Sequence, residues 1–280
     1  MLIKRKSIEA QANTRSGPGR RRRRQQLSPD STGPRKPKYA PVTLSELDGV
    51  RFLHFGTEWV QGAMRIRKPD WIELEYAQQM MAWMLFNTAP RHIVQLGLGT
   101  GALTKFSYRQ FPQAQVTAVE LNPAVITICH SMFKLPQPDE RLMLLESDAL
   151  DFVRHAASHG IIDALQVDLY DALARGPVLD TPEFYQDCRD SLAPGGIMTV
   201  NLFGDHPSFA RNLRAMEFAF HTVIALPEIH DGNVIAIALR DAPSFDFPAL
   251  YARAAEIEAQ TQLPAKSWVN GIKSALQDAA

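Results

Sequence analysis

A glycine-rich loop between an apolar strand and a helix constrains this chain more than any other feature. Gly97, Gly99 and Gly101 follow one apolar run, and residues 116–119 form a second apolar run that ends in Glu120. Glycine lets a backbone approach a ligand closely, and an acid at the tip of the next strand can accept hydrogen bonds from both ribose hydroxyls. We therefore predict that these glycines and Glu120 bind a nucleoside.

The spacing of the glycines narrows the kind of nucleoside. It is G-x-G-x-G rather than the dinucleotide pattern G-x-G-x-x-G, so the glycine that would admit a pyrophosphate at the helix start is missing. This favours a ligand without phosphates, such as S-adenosylmethionine, over NAD. A purely structural turn is the alternative, but the order of strand, loop, helix and acid favours the ligand.

Composition indicates an ordinary globular chain. It has 280 residues, of which 45% are hydrophobic and 21% charged, which is enough for one sizeable core. No apolar run approaches the ~20 residues needed to cross a bilayer, so we expect no membrane association. Cys129 and Cys188 have no metal-ligand spacing and are expected to be small core residues in a reducing compartment, which favours a cytoplasmic location.

The formal net charge of zero is the sum of a basic N-terminal segment and an acidic remainder. Residues 1–40 contain 12 Lys and Arg against 2 acids, and the rest of the chain is acidic to the same degree. Such a basic tail cannot bury apolar surface, and we expect it to be disordered. A solvated leader is favoured, while nucleic-acid binding through this tail and an organellar transit peptide stay open.

Apolar segments alternate with helical patterns along most of the chain. Short strands at 51–55 and 59–66 predict a small N-terminal β-sheet within residues 41–72. The domain that follows, residues 73–280, repeats strand and helix and closes with two strands joined by a turn too short for a parallel crossover. We predict an α/β fold with a doubly wound, mostly parallel, seven-stranded sheet, which is the methyltransferase-like variant of the Rossmann fold.

The predicted strands of that domain are residues 93–96, 116–119, 142–145, 164–167, 197–202, 222–226 and 234–239. Its predicted helices are a Met-rich segment at 74–85, a helix after residue 101, and helices at 123–133, 149–155, 183–192, 208–218, 247–262 and 267–276.

Acids at the carboxyl ends of the strands are candidate site residues, because ligands of such sheets bind there. Asp148 could cap a helix, accept a hydrogen bond from an adenine amino group, or do both. Asp168 and Asp171 follow the fourth predicted strand of the domain. They could bind a cationic amine and remove its proton, whereas helix capping is the structural alternative. The neighbouring nucleoside site favours catalysis.

Several motifs occur together in the order of a known family. They are Val60-Gln61, Gln78-Gln79-Met80, the glycine loop, the segment Val119-Glu120-Leu121-Asn122-Pro123, Asp148, Asp163 with Asp168, Pro182-Glu183-Phe184-Tyr185 and Leu192-Ala193-Pro194-Gly195-Gly196. Over roughly residues 50–240 the chain resembles the spermidine/spermine synthase (polyamine aminopropyltransferase) family.

The resemblance implies an enzyme, a transferase that binds decarboxylated S-adenosylmethionine and passes its aminopropyl group to a small-molecule amine. It implies a methyltransferase-like domain behind an N-terminal sheet, a homodimer built through that sheet, and no metal. By position, Gln61 and Glu120 would contact the ribose side, Asp148 the adenine, and Asp168 would deprotonate the amine that Asp171 helps to bind. We place Gln78 and Tyr170 among the substrate-binding residues.

Departures from the family pattern mark a divergent member. Thr100 stands where relatives usually have an aspartate that holds the aminopropyl ammonium. Ala77 stands where they have a tyrosine, with Tyr76 one residue away, and Leu169-Tyr170 replaces small residues after Asp168. The nucleoside half therefore looks intact and the acceptor half rebuilt. A methyltransferase using S-adenosylmethionine on another small molecule and a non-catalytic nucleoside-binding protein are the alternatives.

Overall fold

The computed structural model describes residues 39–171, 173, 176–229 and 232–278. Residues 1–38, nearly all of the predicted basic tail, lie outside the described residues. Within the described part the chain forms a three-stranded and a seven-stranded sheet. No helix of that part is long and apolar enough to cross a membrane.

The strands of the described residues alternate with helices from β4 onward. They are β1 (Thr43–Leu47), β2 (Val50–His54), β3 (Gly62–Arg65), β4 (His92–Leu96), β5 (Gln115–Glu120), β6 (Leu142–Glu146), β7 (Ile162–Val167), β8 (Leu192–Phe203), β9 (Thr222–Ala225) and β10 (Asn233–Leu239). The helices are α1 (Glu75–Gln79), α2 (Ala102–Gln110), α3 (Pro123–Met132), α4 (Ala149–Arg154), α5 (Pro182–Ser191), α6 (Phe209–Ala219), α7 (Phe247–Thr261) and α8 (Ala265–Asp278), with 3₁₀ turns at Met80–Leu85 and Ala156–Ser158.

The large sheet has the strand order β6-β5-β4-β7-β8-β10-β9. The first five of these pair in parallel, and β10 is antiparallel to both of its neighbours, β8 and β9. The order reverses beside β4, which is where sheets of this kind bind ligands. The predicted fold class, including the antiparallel end of the sheet, is confirmed.

Apolar side chains cover the large sheet on both faces. One buried cluster joins the 3₁₀ turn Met80–Leu85, α7 and α8 to the sheet, and the other joins α4, α5 and α6 to its opposite face. The predicted helix at 74–85 is therefore two shorter pieces, α1 and the 3₁₀ turn. The last helix is longer than predicted, since α8 runs through Asp278.

The small sheet has three strands, so the prediction of two strands there is wrong. The first strand, β1, is mostly exposed and carries little apolar signal. It pairs with β2 across the turn Asp48-Gly49, whose φ angles of 51° and 75° are those that a tight two-residue hairpin requires. The predicted strand at 59–66 is shortened to β3, because residues 55–59 bend.

The small sheet packs against the glycine loop. Leu53 and Met64 join a buried cluster with Leu98 of that loop and with Val125 and Cys129 of α3. The N-terminal sheet therefore forms one wall of the region beyond the carboxyl ends of the strands.

A buried lysine ties the same region together. The Lys105 side chain on α2 is 1% exposed, and its Nζ donates to the carbonyl oxygens of Pro69 and Phe133, both at 2.7 Å. Burial lowers the pKa of this ammonium to about 8 from its ordinary 10.5, and electrostatic interactions with the neighbouring Cys129 and Asp70 oppose that change. The charge is costly to bury but holds two loops on α2.

Because the pKa of Lys105 is lowered in the folded protein, we predict that its contribution to the free energy of unfolding rises with pH. The unfolded chain keeps its proton up to an ordinary lysine pKa, whereas the folded chain releases it near pH 8, so raising pH favours folding. Between pH 7.5 and 9.5 we expect the free energy of unfolding of the wild type to gain about 2 kcal/mol relative to Lys105→Met. Urea denaturation at the two pH values measures this, with the exposed Lys273→Met as control. Equal pH dependence of wild type and Lys105→Met would contradict it.

Candidate active site

The carboxyl ends of β4, β5, β7 and β8 meet below the small sheet and α1. A cavity with about 310 Å³ of empty space, counting the part open to solvent, lies there. Its lining residues are Gln61, Gly62, Ala63, Leu74, Tyr76, Ala77, Gln95, Leu98, Gly99, Thr100, Ala102, Leu103 and Asp168. The predicted catalytic acid and the predicted glycine loop thus face one space.

All three loop glycines have left-handed backbone conformations. The φ angles of Gly97, Gly99 and Gly101 are 87°, 54° and 66°. A Cβ on Gly97 would clash with the backbone oxygen of Asp168, and one on Gly99 would lie 3.3 Å from the backbone oxygen of Gln61. These glycines are required first by close contacts within the protein.

Glu120 holds the glycine loop at the tip of β5. One carboxylate oxygen accepts from the Leu98 N–H at 3.0 Å, and the other accepts from the Asn122 N–H at 2.8 Å. Burial raises the pKa of Glu120, and these backbone hydrogen bonds oppose the rise. The side chain lies where a ribose acceptor is predicted and already orders the loop around it.

Asp168 follows β7 and receives two hydrogen bonds. Asn201 Nδ2 donates to its Oδ1 at 2.9 Å, and the Tyr76 hydroxyl donates to its Oδ2 at 3.3 Å. Burial raises the pKa of Asp168 to about 6, while both hydrogen bonds act in the opposite direction. A carboxylate whose pKa lies this close to neutrality suits proton transfer at physiological pH.

Tyr76 and Asn201 were not predicted as site residues. Tyr76 stands one position before the tyrosine of the family pattern, and only the actual turn of α1 shows that it faces the cavity. Asn201 carried a visible signal, because it is a polar residue in the otherwise apolar end of β8, where it is 2% exposed.

A third polar residue supports the glycine loop from below. Gln95 on β4 donates to the backbone oxygens of Gly97 and Leu98 at 2.7 and 3.4 Å, and it accepts from the Thr104 hydroxyl. It is 3% exposed and lines the floor of the cavity. Its position in an apolar strand was the signal available in the sequence.

Gln78 is not among the residues that line the cavity. Its Nε2 donates to the backbone oxygen of Ile72 at 2.8 Å, so its amide supports the turn before α1. Tyr76 and Ala77 of the same helix line the cavity instead. The role of Gln78 in substrate binding therefore stays a prediction.

Asp171 and Tyr170 lie beside the cavity lining. The Asp171 carboxylate accepts from the Leu173 N–H at 2.8 Å, and its backbone oxygen accepts from Gln61 Nε2 at 3.1 Å. The Tyr170 hydroxyl donates to the backbone oxygen of Asn201 at 3.2 Å. Burial, and then the charge of Asp168, raise the pKa of Tyr170 above its ordinary value. Both residues shape the segment after β7.

Two other acids have clear structural duties. Asp148 is the N-cap of α4 and accepts from the Leu150 N–H at 2.8 Å, which leaves its second oxygen for another donor. Asp163 lies at the opposite end of β7 and accepts from the N–H groups of Arg91 and His92 at 2.7 and 3.0 Å. Asp163 therefore secures the start of β4 and is remote from the cavity. Within the described residues, no group of three or more His, Cys, Asp and Glu side chains is placed to hold a metal ion.

Several known proteins are similar to this chain in sequence or in structure. A polyamine aminopropyltransferase from Chromobacterium violaceum is 34% identical over 241 residues, which cover 85% of the chain and 92% of that relative. A probable spermidine synthase from Corynebacterium glutamicum superposes with a TM-score of 0.66 at 19% identity, covering 84% of this chain and 92% of that one. A spermidine synthase in complex with the transition-state analogue AdoDATO superposes with a TM-score of 0.62 at 16% identity, covering 82% and 84%.

No protein-family model matches the chain. The two structures share its fold, whereas the Chromobacterium relative is similar to it in sequence over 85% of this chain and 92% of its own length. On that similarity, the chain belongs to the polyamine aminopropyltransferase family.

Proposed function

We propose that this transferase moves an aminopropyl group from decarboxylated S-adenosylmethionine to an amine, with Asp168 as the base. The observation that carries the proposal is the Asp168 carboxylate itself. It accepts hydrogen bonds from Tyr76 and Asn201, burial raises its pKa to about 6, and it faces the cavity beside the glycine loop. The base and the nucleoside site lie on adjacent strands, β7 and β4.

The chemistry balances with this single base. An amine is inert while protonated, so Asp168 accepts a proton from the acceptor nitrogen and leaves a lone pair. That nitrogen attacks the propyl carbon next to the sulfonium, a C–N bond forms, and the C–S bond breaks. Its electron pair goes to sulfur, which releases neutral methylthioadenosine. The proton on Asp168 then passes to solvent.

The donor is proposed to lie over the tips of β4 and β5. Glu120 would accept from the ribose hydroxyls, Gln61 would approach from the small sheet, and Asp148 would take the adenine amino group with its free oxygen. The backbone of the loop that contains Gly97, Gly99 and Gly101 would lie against the adenosine. Asp171 would attract the incoming amine at the edge of the cavity.

Methyl transfer from S-adenosylmethionine is the second candidate, and Thr100 favours it. The Thr100 side chain lines the cavity, is 2% exposed, and donates to the Ala63 backbone oxygen at 3.3 Å. An uncharged residue there neither attracts the donor's ammonium nor repels the carboxylate of intact S-adenosylmethionine. The donor's tail is therefore the point at which the two reactions differ.

The resemblance to the family also leads us to propose that the protein is a homodimer. Leu47 and Ile66 are exposed apolar residues at the small sheet, 48% and 39% accessible, and a second copy would cover them in a homodimer. We propose residues 41–72 as this assembly region and residues 73–280 as the catalytic domain. Any contact with nucleic acid is assigned to the basic residues 1–40.

The role of Asp168 predicts a large loss of turnover in Asp168→Asn. We expect kcat to fall about 10²- to 10⁴-fold, because the amide cannot accept the proton, while the affinity for methylthioadenosine changes little. The assay is release of methylthioadenosine from decarboxylated S-adenosylmethionine with a panel of di- and polyamines.

Asp151→Asn is the matched control, since Asp151 is an exposed acid in the first turn of α4. It should retain wild-type turnover. If the wild type releases no methylthioadenosine with any amine, or if Asp168→Asn remains active, the proposed function is wrong.

The neutral Thr100 predicts weak discrimination between the two adenosyl donors. We expect calorimetry to give dissociation constants for S-adenosylmethionine and its decarboxylated form within about tenfold of each other. In Thr100→Asp the preference for the decarboxylated form should rise about 100-fold, because the new carboxylate attracts the ammonium and repels the donor's carboxylate. Thr100→Asn, similar in size and uncharged, should behave like the wild type. Strong discrimination by the wild type would count against this role of Thr100.

A further inference from the structure

A second asparagine lies behind the one that contacts Asp168. Asn201 on β8 donates through Nδ2 to Asp168, and its Oδ1 accepts from Nδ2 of Asn233 at 2.9 Å. Asn233 begins β10, where its backbone pairs with Phe203 of β8 and accepts from the Ile229 N–H at 3.0 Å. The two amides and the carboxylate form a chain across three strands of the sheet.

The direction of the Asn201 amide decides what it does to Asp168. With its NH₂ toward the carboxylate, Asn201 stabilises the charged form. With its oxygen there, it would accept a hydrogen bond from the protonated acid and stabilise the neutral form. The two orientations have nearly the same shape, so packing alone does not choose between them. The side chain is 2% exposed, and a wrong orientation cannot be corrected by water.

Asn233 favours one of the two orientations. Its NH₂ donates to the side-chain oxygen of Asn201, and turning the Asn201 amide over would place two NH₂ groups against each other. The cost of such an unsatisfied, half-buried pair is of the size of a lost hydrogen bond. The backbone pairing of β10 fixes the position of Asn233. Its amide is oriented by Tyr170, which donates its proton to the Asn201 backbone oxygen and so presents its own oxygen as an acceptor for the Asn233 NH₂.

The two tyrosines near Asp168 do not hydrogen-bond the Asn201 side-chain amide itself. From α1 the Tyr76 hydroxyl contacts the opposite carboxylate oxygen. From the segment after β7, Tyr170 contacts the backbone oxygen of Asn201 and the Asn233 side chain, and its negative form is disfavoured by burial and by Asp168. Both tyrosines have pKa values raised by burial above the ordinary value and stay neutral while Asp168 titrates.

We propose that Asn233 is a positioning residue, which holds the Asn201 amide with its NH₂ toward Asp168 and so keeps the base in its charged form. This inference rests on the proposed function for its catalytic meaning. Its physical content, the ionisation of Asp168, can be measured without turnover.

The test is an infrared titration of the Asp168 carboxyl group, identified as the signal that Asp168→Asn removes. Asn233→Leu is close in size and lacks the donor, so the Asn201 amide is free to turn. We expect the titration midpoint to rise by about one pKa unit, and to rise further in Asn233→Asp, whose oxygens draw the Asn201 NH₂ away from Asp168. In the active enzyme, one unit lowers the ionised fraction, and with it kcat, about fivefold at pH 6 and little at pH 9.

A double-mutant comparison separates positioning from a general structural effect. In the Asn201→Leu background, Asn233→Leu should cause no further change in the midpoint, since the amide through which it acts is gone. Asn270→Leu, at an exposed position of α8, is the control for asparagine replacement and should leave the midpoint unchanged.

An unchanged midpoint in Asn233→Leu, or an equal shift in the Asn201→Leu background, would overturn the proposal. Circular dichroism of each variant establishes that the midpoint is measured on folded protein. Absence of methylthioadenosine release by the wild type would contradict the proposed function alone, because the infrared midpoints do not depend on turnover.

Discussion

The close contact between Gly97 and the backbone of Asp168 sets the geometry of the whole site. Gly97 leaves β4 with a φ of 87°, and a Cβ on it would overlap the Asp168 oxygen. Next to this contact, the Asp168 N–H donates a hydrogen bond to the backbone oxygen of Leu96 at 2.9 Å. The loop proposed to bind the donor and the proposed base are therefore parts of one rigid crossing between neighbouring strands. Any side chain at position 97 would separate them.

The small sheet extends this crossing to a third wall. Gly62 of β3 lies against Thr100, and a Cβ there would approach the Thr100 methyl group to 2.7 Å. The Gln61 amide reaches the backbone oxygen of Asp171 at 3.1 Å. The sheet therefore contacts both the glycine loop and the segment after β7. A reactant in the cavity is enclosed by parts of the chain more than 100 residues apart, and the N-terminal region belongs to the site as much as to any assembly.

The sequence predicted those residues that the order of the strands brings to one edge of the sheet. It missed those residues whose position near the cavity depends on the direction of the side chain. Gly97, Glu120 and Asp168 follow apolar runs, and parallel strands bring such positions to one edge of a sheet whatever the details of packing. Gln78 and Tyr76 are two positions apart on one helical turn, where an error of one residue rotates a side chain by about 100°. The five-residue α1 passes directly into a 3₁₀ turn, so its hydrophobic periodicity could not determine which residue faces the cavity. The role of Asn233 could not be predicted for another reason. It lies on β10 and its partner Asn201 lies on β8, two strands that are not consecutive in the chain and are brought together only by the order of the sheet.

The balance of forces on Asp168 explains why the polar network takes this form. Burial alone favours a neutral acid, which could not accept a proton, and a fully solvated carboxylate would be a weak base. Tyr76 and Asn201 offset part of the burial, which leaves the pKa near 6. A lysine or arginine partner would have lowered the pKa further and repelled the proposed cationic substrate, whereas neutral donors stabilise the carboxylate without adding charge. For a proposed base that acts on amines, neutral hydroxyl and amide donors are the best support, and their orientation then matters more than their number.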